Sequence, residues 1–203
     1  MLALFYGYLK NMSDKKPQAT QNIIDSINHL DINTDRLVLK KFIEKDVEFN
    51  VEHAMNAEIM RYIKDPQTIE ETRKITLQIA QDWIGNEGDW VLFALTLKET
   101  GEYIGMVCFR YESLENDTVE MGWRLGLEHH GKGYATEAAQ GLLDFIKQEI
   151  KPHKVVAYCV AENTASSNIM TKLGMQHEAT LREFSKLGGN WFDEAIYGII
   201  LNS

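Results

Sequence analysis

Cysteine and basic residues are scarce in this chain of 203 residues. The two cysteines, Cys108 and Cys159, each lie inside an apolar run that is typical of a buried strand. Two buried thiols predict free cysteines rather than a disulfide framework, and therefore a protein of the reducing cytoplasm. Lysine and arginine number 21 against 30 aspartates and glutamates, which gives a net charge of -9. Because so acidic a chain is a poor candidate for holding a phosphate backbone, nucleic acid is not expected as a partner.

Long hydrophobic runs and metal-binding patterns are also missing. The membrane-like stretch of residues 1–9 is too short to cross a bilayer and lacks the basic flank of a signal peptide, so no membrane association is expected. His129 and His130 are adjacent and His153 stands alone, which is not the spacing of a metal site. The chain is 44% hydrophobic and 25% charged, which is typical of a globular protein. No metal is expected.

The chain changes character near residue 33. Residues 1–32 are predicted to form an N-terminal extension that is partly disordered or helical, with a short helical segment near residues 23–30. Residues 33–203 are long enough for a single domain with a sizeable core. Alternating apolar residues over residues 34–42 predict its first strand.

Turn residues and hydrophobic periodicity predict the further elements of this domain. Helices are expected over residues 46–55 with Asp46 as N-cap, 69–83 before Gly85, 135–150 before Pro152, and 164–173. Strands are expected over residues 90–97, 103–111, 118–125, 155–160, 175–184 and 192–201. The short connections between the first three of these strands predict an antiparallel meander. One strand–helix–strand crossover embedded in a mostly antiparallel sheet makes the predicted fold α+β.

The junction between the meander and the longest helix holds two glycines in three residues, Gly131 and Gly133. Small residues let backbone N–H groups approach an anion closely, and a helix start adds unpaired donors and the positive end of the dipole. Taken alone, the loop fits a diphosphate site and a glycine-rich turn that binds nothing about equally well. A Walker-type loop is excluded because no Gly-Lys-Ser/Thr follows, and a Rossmann fingerprint is disfavoured because the loop follows an antiparallel meander.

Four ordered blocks resemble the GNAT acetyltransferases over roughly residues 33–202. They are residues 34–39, residues 119–125 with 131–138, residues 162–166 with 172–175, and residues 181–183 with Asp193. The first and third blocks are similar to the RimJ/RimL-type branch, which modifies the N-termini of ribosomal proteins. The resemblance implies an α+β GNAT fold, with a mixed, mostly antiparallel twisted sheet of about seven strands and about four helices in α/β/α layers.

The resemblance also implies acetyl-CoA as co-substrate. Backbone groups of Trp123 and Leu125 would pair with the pantetheine arm like an added strand, and Asn163 would hydrogen-bond the cofactor. The pyrophosphate would be held by the loop that comprises His130, Gly131, Lys132, Gly133, Tyr134 and Ala135. His130 departs from the glutamine or arginine that is usual in the family, so the flank of the loop loses a certain charge.

Glu120 and Ser166 are the candidate catalytic residues. Attack on a thioester requires a neutral amine, and Glu120, on the strand before the loop, could accept its proton through one water. The alternative for Glu120 is a buried structural carboxylate. Many relatives place a tyrosine where this chain has Met170, which cannot protonate a thiolate, so Ser166 becomes the candidate donor with Ser167 as fallback. Both serines also fit the role of helix-start residues.

The acceptor groove is the least predictable part of the site. Folds of this kind vary in their acceptor loops, here the helix pair before Trp83 and the hairpin around Gly188 and Gly189. Large side chains could line the groove, although core burial is commoner for an aromatic residue. These side chains are Trp83, Trp90, Arg110, Tyr111 and Trp191.

The sequence therefore predicts a cytoplasmic N-acetyltransferase, monomeric or homodimeric, that moves acetyl from acetyl-CoA to a primary amine in a ternary complex. The branch resemblance favours a protein N-terminal amine of the ribosomal-protein type as acceptor. A small amine, such as a polyamine or an antibiotic, is the alternative within the same chemistry. A non-catalytic acyl-CoA-binding sensor is the alternative from another class of protein.

Overall fold

The computed structural model describes residues 19–65 and 67–201. Residues 1–18, which make up most of the predicted N-terminal extension, lie outside the described residues. The helices are α1 (Gln21–Asn28), α2 (Val47–Met55), α3 (Ala57–Met60), α4 (Ile69–Ile79), α5 (Tyr134–Phe145) and α6 (Thr164–Lys172). The strands are β1 (Asp31–Asn33), β2 (Leu37–Lys41), β3 (Val91–Leu97), β4 (Tyr103–Ser113), β5 (Thr118–Leu125), β6 (Lys154–Val160), β7 (Gln176–Leu187) and β8 (Asn190–Ile200).

The eight strands form one sheet in the order β1-β2-β3-β4-β5-β6-β8-β7. All neighbouring strands run antiparallel except β5 and β6, which are parallel. A parallel pair needs a crossover connection, and α5 supplies it. This topology confirms the predicted α+β fold. The strands and helices that the prediction lacked are β1, with three residues, and α3, with four, both too short to show a period.

Helices cover both faces of the sheet. On one face, α1, α5 and α6 pack against side chains such as Leu39, Phe93 and Val107, which belong to the larger buried cluster with Leu142 of α5. On the other face, α2 and α4 cover a smaller cluster that includes Phe42. The two layers follow from the alternation of side chains along each strand, which turns one set to each face. No helix among residues 19–65 and 67–201 is long and apolar enough to span a bilayer.

Residues 19–30 contribute to the larger cluster as well. Ile24 is 7% exposed and Ile27 is fully buried, both on α1. Their burial is worth roughly 1.5–3 kcal/mol for each side chain. The backbone of Lys41 donates to the carbonyl of Leu30, which ties the end of this segment to β2.

Two helices end earlier than predicted. α4 ends at Ile79, whereas the prediction extended this helix to Trp83. Trp83 is nevertheless buried, and its ring stacks on Tyr111 with 6.1 Å between the ring centroids. The helical spacing of apolar residues therefore extends beyond the end of α4, because Trp83 reaches the core from a loop. α5 ends at Phe145 and continues as a π-helical turn over Ile146–Ile150, where the prediction had one continuous helix.

Asp46 does not cap α2 with its side chain. Its carboxylate instead accepts a hydrogen bond from the backbone of Ile43 at 3.1 Å and closes the short 3-10 turn Glu44–Asp46 that precedes the helix. Asp46 therefore occupies the N-cap position of α2, as predicted, although its side chain serves the turn before the helix.

β5 and β6 separate after a short contact. Their register comprises three pairs, Thr118 with Lys154, Val119 with Val155, and Glu120 with Val156. Beyond Glu120, β5 stays paired with β4 up to Leu125, and β6 stays paired with β8 up to Val160. The gap between residues 121–125 of β5 and residues 157–160 of β6 is called the slot below.

Candidate active site

The glycine loop connects β5 with α5 and has the conformation that the two glycines allow. Gly131 has φ of 73° and Gly133 has φ of 82°, both in the left-handed region that other residues adopt at a cost. A Cβ on Gly131 would meet no atom within 4 Å, so this side of the loop is open. Gly133 is also the N-cap of α5, whose first N–H groups lack intrahelical partners. The loop and helix start therefore offer several backbone donors to an anion.

Arg36 contacts this loop and was not among the predicted site residues. Its guanidinium donates to the carbonyl of Lys132 at 3.0 Å, pairs with Glu137 at 2.7 Å and lies 4.4 Å above the ring of Tyr134. Thr34 donates to the same Glu137 at 2.6 Å. The signal was present in residues 34–39, which were assigned to the family branch without a role in the loop. Arg36 brings a positive charge to the loop, since a Cβ on residue 133 would lie 3.4 Å from its Nη2.

His130 contacts the backbone at the end of β5. Its Nε2 lies 3.2 Å from the carbonyl oxygen of Leu125, and a carbonyl can only accept, so the ring donates there. The contact joins the end of β5 to the loop. His130 therefore supports the shape of the turn through a side-chain contact.

Glu120 lies at the closed end of the slot, in the last residue pair between β5 and β6. Its side chain is 12% exposed and forms an ion pair with Arg110 at 2.6 Å. Burial raises the pKa of Glu120 and the nearby carboxylates of Glu112 and Glu194 raise it further, while the charge and hydrogen bond of Arg110 lower it. A carboxyl with a raised pKa in a pocket is suited to proton transfer near neutral pH.

The structure also answers which face of the sheet Glu120 takes. Met121 and Leu125 are buried in the larger cluster, and Trp123 packs against it. Because side chains alternate along a strand, Glu120 lies on the opposite face, the one that α2 and α4 cover. This α2–α4 face of the sheet is therefore where an amine would meet the carboxylate.

The far wall of the slot is formed by β6 and the start of α6. Asn163 is the N-cap of α6, and its Oδ1 accepts from the backbone of Ser166 at 3.2 Å. Burial raises the pKa of the Cys159 thiol to about 11, and the nearby Ser166 hydroxyl opposes this shift. Ser167 donates to the carbonyl of Thr164 at 3.2 Å. The capping role thus belongs to Asn163, while Ser166 keeps a hydroxyl at the wall of the slot.

Acidic side chains collect on the α2–α4 face beside the slot. Glu112 accepts a hydrogen bond from the phenol of Tyr158 on β6, and Glu194 on β8 accepts from Ser185. Together with Glu120 they set three carboxylates against the guanidinium of Arg110. A cluster with this balance of charge favours a cationic acceptor.

The two segments predicted to form the acceptor groove, the helical region before Trp83 and the hairpin around Gly188, are in contact. The ring of Tyr62, after α3, packs edge-on against Phe192 of β8 at 6.4 Å, and Asp65 accepts from the backbone of Gly188 at 2.5 Å. Of the large side chains proposed to line the groove, Trp83 and Tyr111 belong to the core, whereas Arg110 is at the acidic cluster and Trp191 is 56% exposed on the hairpin. Trp90 stacks with Arg110, with 4.7 Å between the guanidinium carbon and the ring centroid.

Comparison with known proteins identifies this arrangement. The sequence pattern of the acetyltransferase (GNAT) domain matches residues 36–176. The chain belongs to the GNAT acetyltransferase family. It is accordingly an acetyl-CoA-dependent N-acetyltransferase, with acetyl-CoA as its co-substrate. Within the part of the chain that the structure describes, no group of three or more potential ligands is placed to hold a metal ion.

Individual relatives cover most of this GNAT chain. It is 32% identical to the N-acetyltransferase YnaD of Bacillus subtilis over 170 residues, which is 83% of this chain and 96% of that protein. A GNAT-family acetyltransferase structure from Bacillus anthracis has a TM-score of 0.73 and 30% identity, and the match covers 86% of this chain and all of that one. The structure of RimL, a ribosomal L7/L12 N-acetyltransferase in complex with CoA, has a TM-score of 0.73 at 19% identity, with coverage of 85% and 98%, and shares the fold.

Proposed function

We propose that this GNAT enzyme acetylates a protein N-terminal amine, with the reaction taking place in the slot. The observation that carries the proposal is the separation of β5 from β6 directly beyond Glu120. The separation leaves the facing edges of both strands open at the point where a buried carboxylate is available. An extended arm can pair with an open strand edge through main-chain groups alone.

The cofactor would lie along residues already placed around the slot. Main-chain groups of Trp123 and Leu125 are on the open edge of β5, and the N–H groups of residues 131–135 would hold the pyrophosphate. The side-chain NH2 of Asn163 would donate to the cofactor, because Oδ1 is already used by the helix cap. Bound acetyl-CoA supplies the thioester that the amine attacks.

Two side chains would handle the protons. Glu120 accepts a proton from the acceptor amine, directly or through a water, since its raised pKa makes it a better base than an ordinary surface glutamate. Ser166, on the opposite wall, donates a hydrogen bond to the departing sulfur. The nearby Cys159 thiol is a weak hydrogen-bonding group and would compete little for the hydroxyl.

The choice of a protein N-terminus rests on sequence. Residues 34–39 and 162–166 are similar to the RimJ/RimL-type branch. The ribosomal-protein-serine acetyltransferase of Escherichia coli is 28% identical to this chain over 102 residues.

A polyamine is a second candidate acceptor. The three carboxylates Glu112, Glu120 and Glu194 could bind more than one ammonium group along a flexible chain. A spermidine N-acetyltransferase from Vibrio cholerae, solved with CoA and spermine, shares the fold with a TM-score of 0.72 at 21% identity.

An acceptor panel separates these candidates. The enzyme is incubated with acetyl-CoA and either N-terminal peptides of ribosomal proteins, lysine-containing peptides with blocked N-termini, or polyamines, and released thiol is measured. Turnover with free N-terminal peptides and little with blocked peptides supports the proposal. Turnover with polyamines alone assigns the second candidate. If CoA binds and none of these amines is acetylated, both candidate acceptors are wrong.

A further inference from the structure

Arg110 contacts the candidate base from the neighbouring strand. The two residues are direct cross-strand partners on β4 and β5. Nε and Nη2 of Arg110 lie 2.7 Å and 2.6 Å from the same oxygen of Glu120, Oε2. Within residues 19–65 and 67–201, Oε1 of Glu120 has no hydrogen-bond donor. The carboxylate is therefore held at one oxygen while the other stays available.

Trp90 holds the guanidinium from the other side. The Arg110 carbon Cζ lies 4.7 Å from the centroid of the indole ring, a distance at which a cation–π contact is favourable. Trp90 immediately precedes β3, whose first residue, Val91, pairs with Phe109 next to Arg110. The tryptophan and the arginine are thus brought together by strand register, and the planar guanidinium is fixed between ring and carboxylate.

Two neighbouring carboxylates act against the ionised form of Glu120, and the Cys108 thiol of β4 and the Tyr158 phenol of β6 also lie near it. Glu112 faces it from β4 and Glu194 from β8, and both carboxylates repel a negative charge there. Tyr158 faces it from β6 and donates its hydrogen to Glu112. Burial disfavours the carboxylate as well. The positive charge of Arg110 opposes all of these effects.

We propose that Arg110 is a positioning residue that keeps Glu120 ionised and orients it so that Oε1 stays available to the acceptor amine. The inference rests on the proposed function of Glu120 as proton acceptor. Without Arg110, burial and the two neighbouring carboxylates raise the pKa of Glu120 further, so the carboxyl stays protonated up to a higher pH. A protonated carboxyl cannot accept a proton from the amine, so the base would be lost although the residue is still present.

The test measures the titration of Glu120 directly. The side-chain carboxyl carbons of glutamate are isotope-labelled and followed by NMR against pH, and the Glu120 signal is identified by its loss in Glu120→Gln. In Arg110→Met the titration midpoint should move up by about one pH unit or more, since an opposite charge at hydrogen-bond distance shifts a carboxyl by this order. Arg110→Lys keeps the charge and should show a clearly smaller shift.

An unchanged midpoint in Arg110→Met overturns the proposal. Arg110→Gln, which keeps polarity without charge, serves if the methionine variant does not fold. The acid limb of the kcat/KM profile, measured with one acceptor throughout, should move in the same direction as the midpoint in each variant. A loss of activity that is uniform across pH, with no change in the midpoint, would show a structural role only.

The same data separate this inference from the proposed function. If the midpoint moves but Glu120→Gln retains full activity, Arg110 controls the charge of Glu120 as proposed and Glu120 is not the base. If Glu120→Gln is inactive and the Glu120 midpoint in Arg110→Met equals that of the wild type, Glu120 remains the candidate base and the role assigned to Arg110 is wrong.

Discussion

Gly133 combines a left-handed backbone conformation with a position in the loop proposed to bind the pyrophosphate. It adopts φ of 82°, caps α5 and lies next to Arg36. We expect Gly133→Asp to lower the affinity for CoA by at least about tenfold, or ~1.4 kcal/mol, because a carboxylate would face the phosphates. Isothermal titration with CoA measures this directly.

A matched variant controls for strain in the Gly133 experiment. Gly88 has φ of 84° and open space around it, and it lies in the turn before β3. Gly88→Asp should therefore incur the same backbone cost of about 1–2 kcal/mol and leave CoA affinity unchanged. An equal loss of affinity in both variants would show that strain, and not the phosphate site, is responsible.

Ser166 is expected to act in turnover and not in folding. Because Asn163 provides the cap of α6, Ser166→Ala should leave Tm nearly unchanged while kcat falls by about tenfold or more. The affinity for acetyl-CoA should stay close to that of the wild type. Ser167→Ala removes a hydroxyl that bonds the helix backbone and is the control with expected normal turnover. A large drop in Tm for Ser166→Ala with normal kcat would contradict the assignment.

Glu194 should make stability depend on pH. Burial raises its pKa, so the folded state holds the proton more tightly than the unfolded chain. Its stabilising contribution is then complete below the unfolded pKa and is lost as pH rises through the folded pKa. Glu194→Gln carries no charge at any pH, so its Tm relative to the wild type should rise between about pH 5 and pH 8. A Tm difference between Glu194→Gln and the wild type that is the same at both pH values would contradict this. So would a pH dependence equal to that of the exposed control Glu115→Gln.

At the scale of elements, Asn163 joins helix α6 to the slot. Its Oδ1 makes the cap, which leaves its NH2 for the cofactor. Asn163→Ala should lower stability by about 1 kcal/mol and weaken CoA binding. Asn163→Asp keeps the cap oxygen and should preserve Tm, while its carboxylate lacks the donor and weakens CoA binding alone. Thermal melts and CoA titrations of both variants test the two roles separately; normal CoA affinity in Asn163→Asp would exclude the NH2 contact.

The elements with strong periods were predictable, and those fixed by long-range contacts were not. β5 and α6 have the bounds that alternation and turn residues indicate, to within a residue. The end of α4 was misplaced because Trp83 extends the apolar period from a loop, where Asn28 bonds its backbone at 2.9 Å. β1 was missed because three residues paired with β2 carry no pattern of their own.

In the candidate site too, residues with a local sequence signal were predictable and those defined by long-range contacts were not. The glycine loop and Glu120 were predicted as site residues because their residue types limit the chemistry that they can perform. Arg36 was missed because its partner Glu137 lies 101 residues away, and only the folded sheet brings them together. The Arg110–Glu120 pair was equally hidden, since it depends on the register of β4 with β5, which two short runs of sequence do not define.

Over the whole molecule, one sheet carries both the glycine loop proposed to bind the cofactor and the acidic cluster proposed to meet the amine. The loop and α5 lie at the end of β5, and the acidic cluster lies on the α2–α4 face beside the slot. Gly105 keeps β4 close to this end of β5, since a Cβ there would lie 2.8 Å from Cα of Leu125. β5 therefore remains with β4 while β6 follows β8, and the slot opens between them.

A structure of the enzyme with bound CoA tests the central claim most directly. The account predicts the pyrophosphate at the N–H groups of residues 131–135, the pantetheine arm along the open edge of β5, and the sulfur between Glu120 and Ser166. CoA bound elsewhere, with β5 and β6 closed on each other and the loop amides making no contact with phosphate, would contradict it.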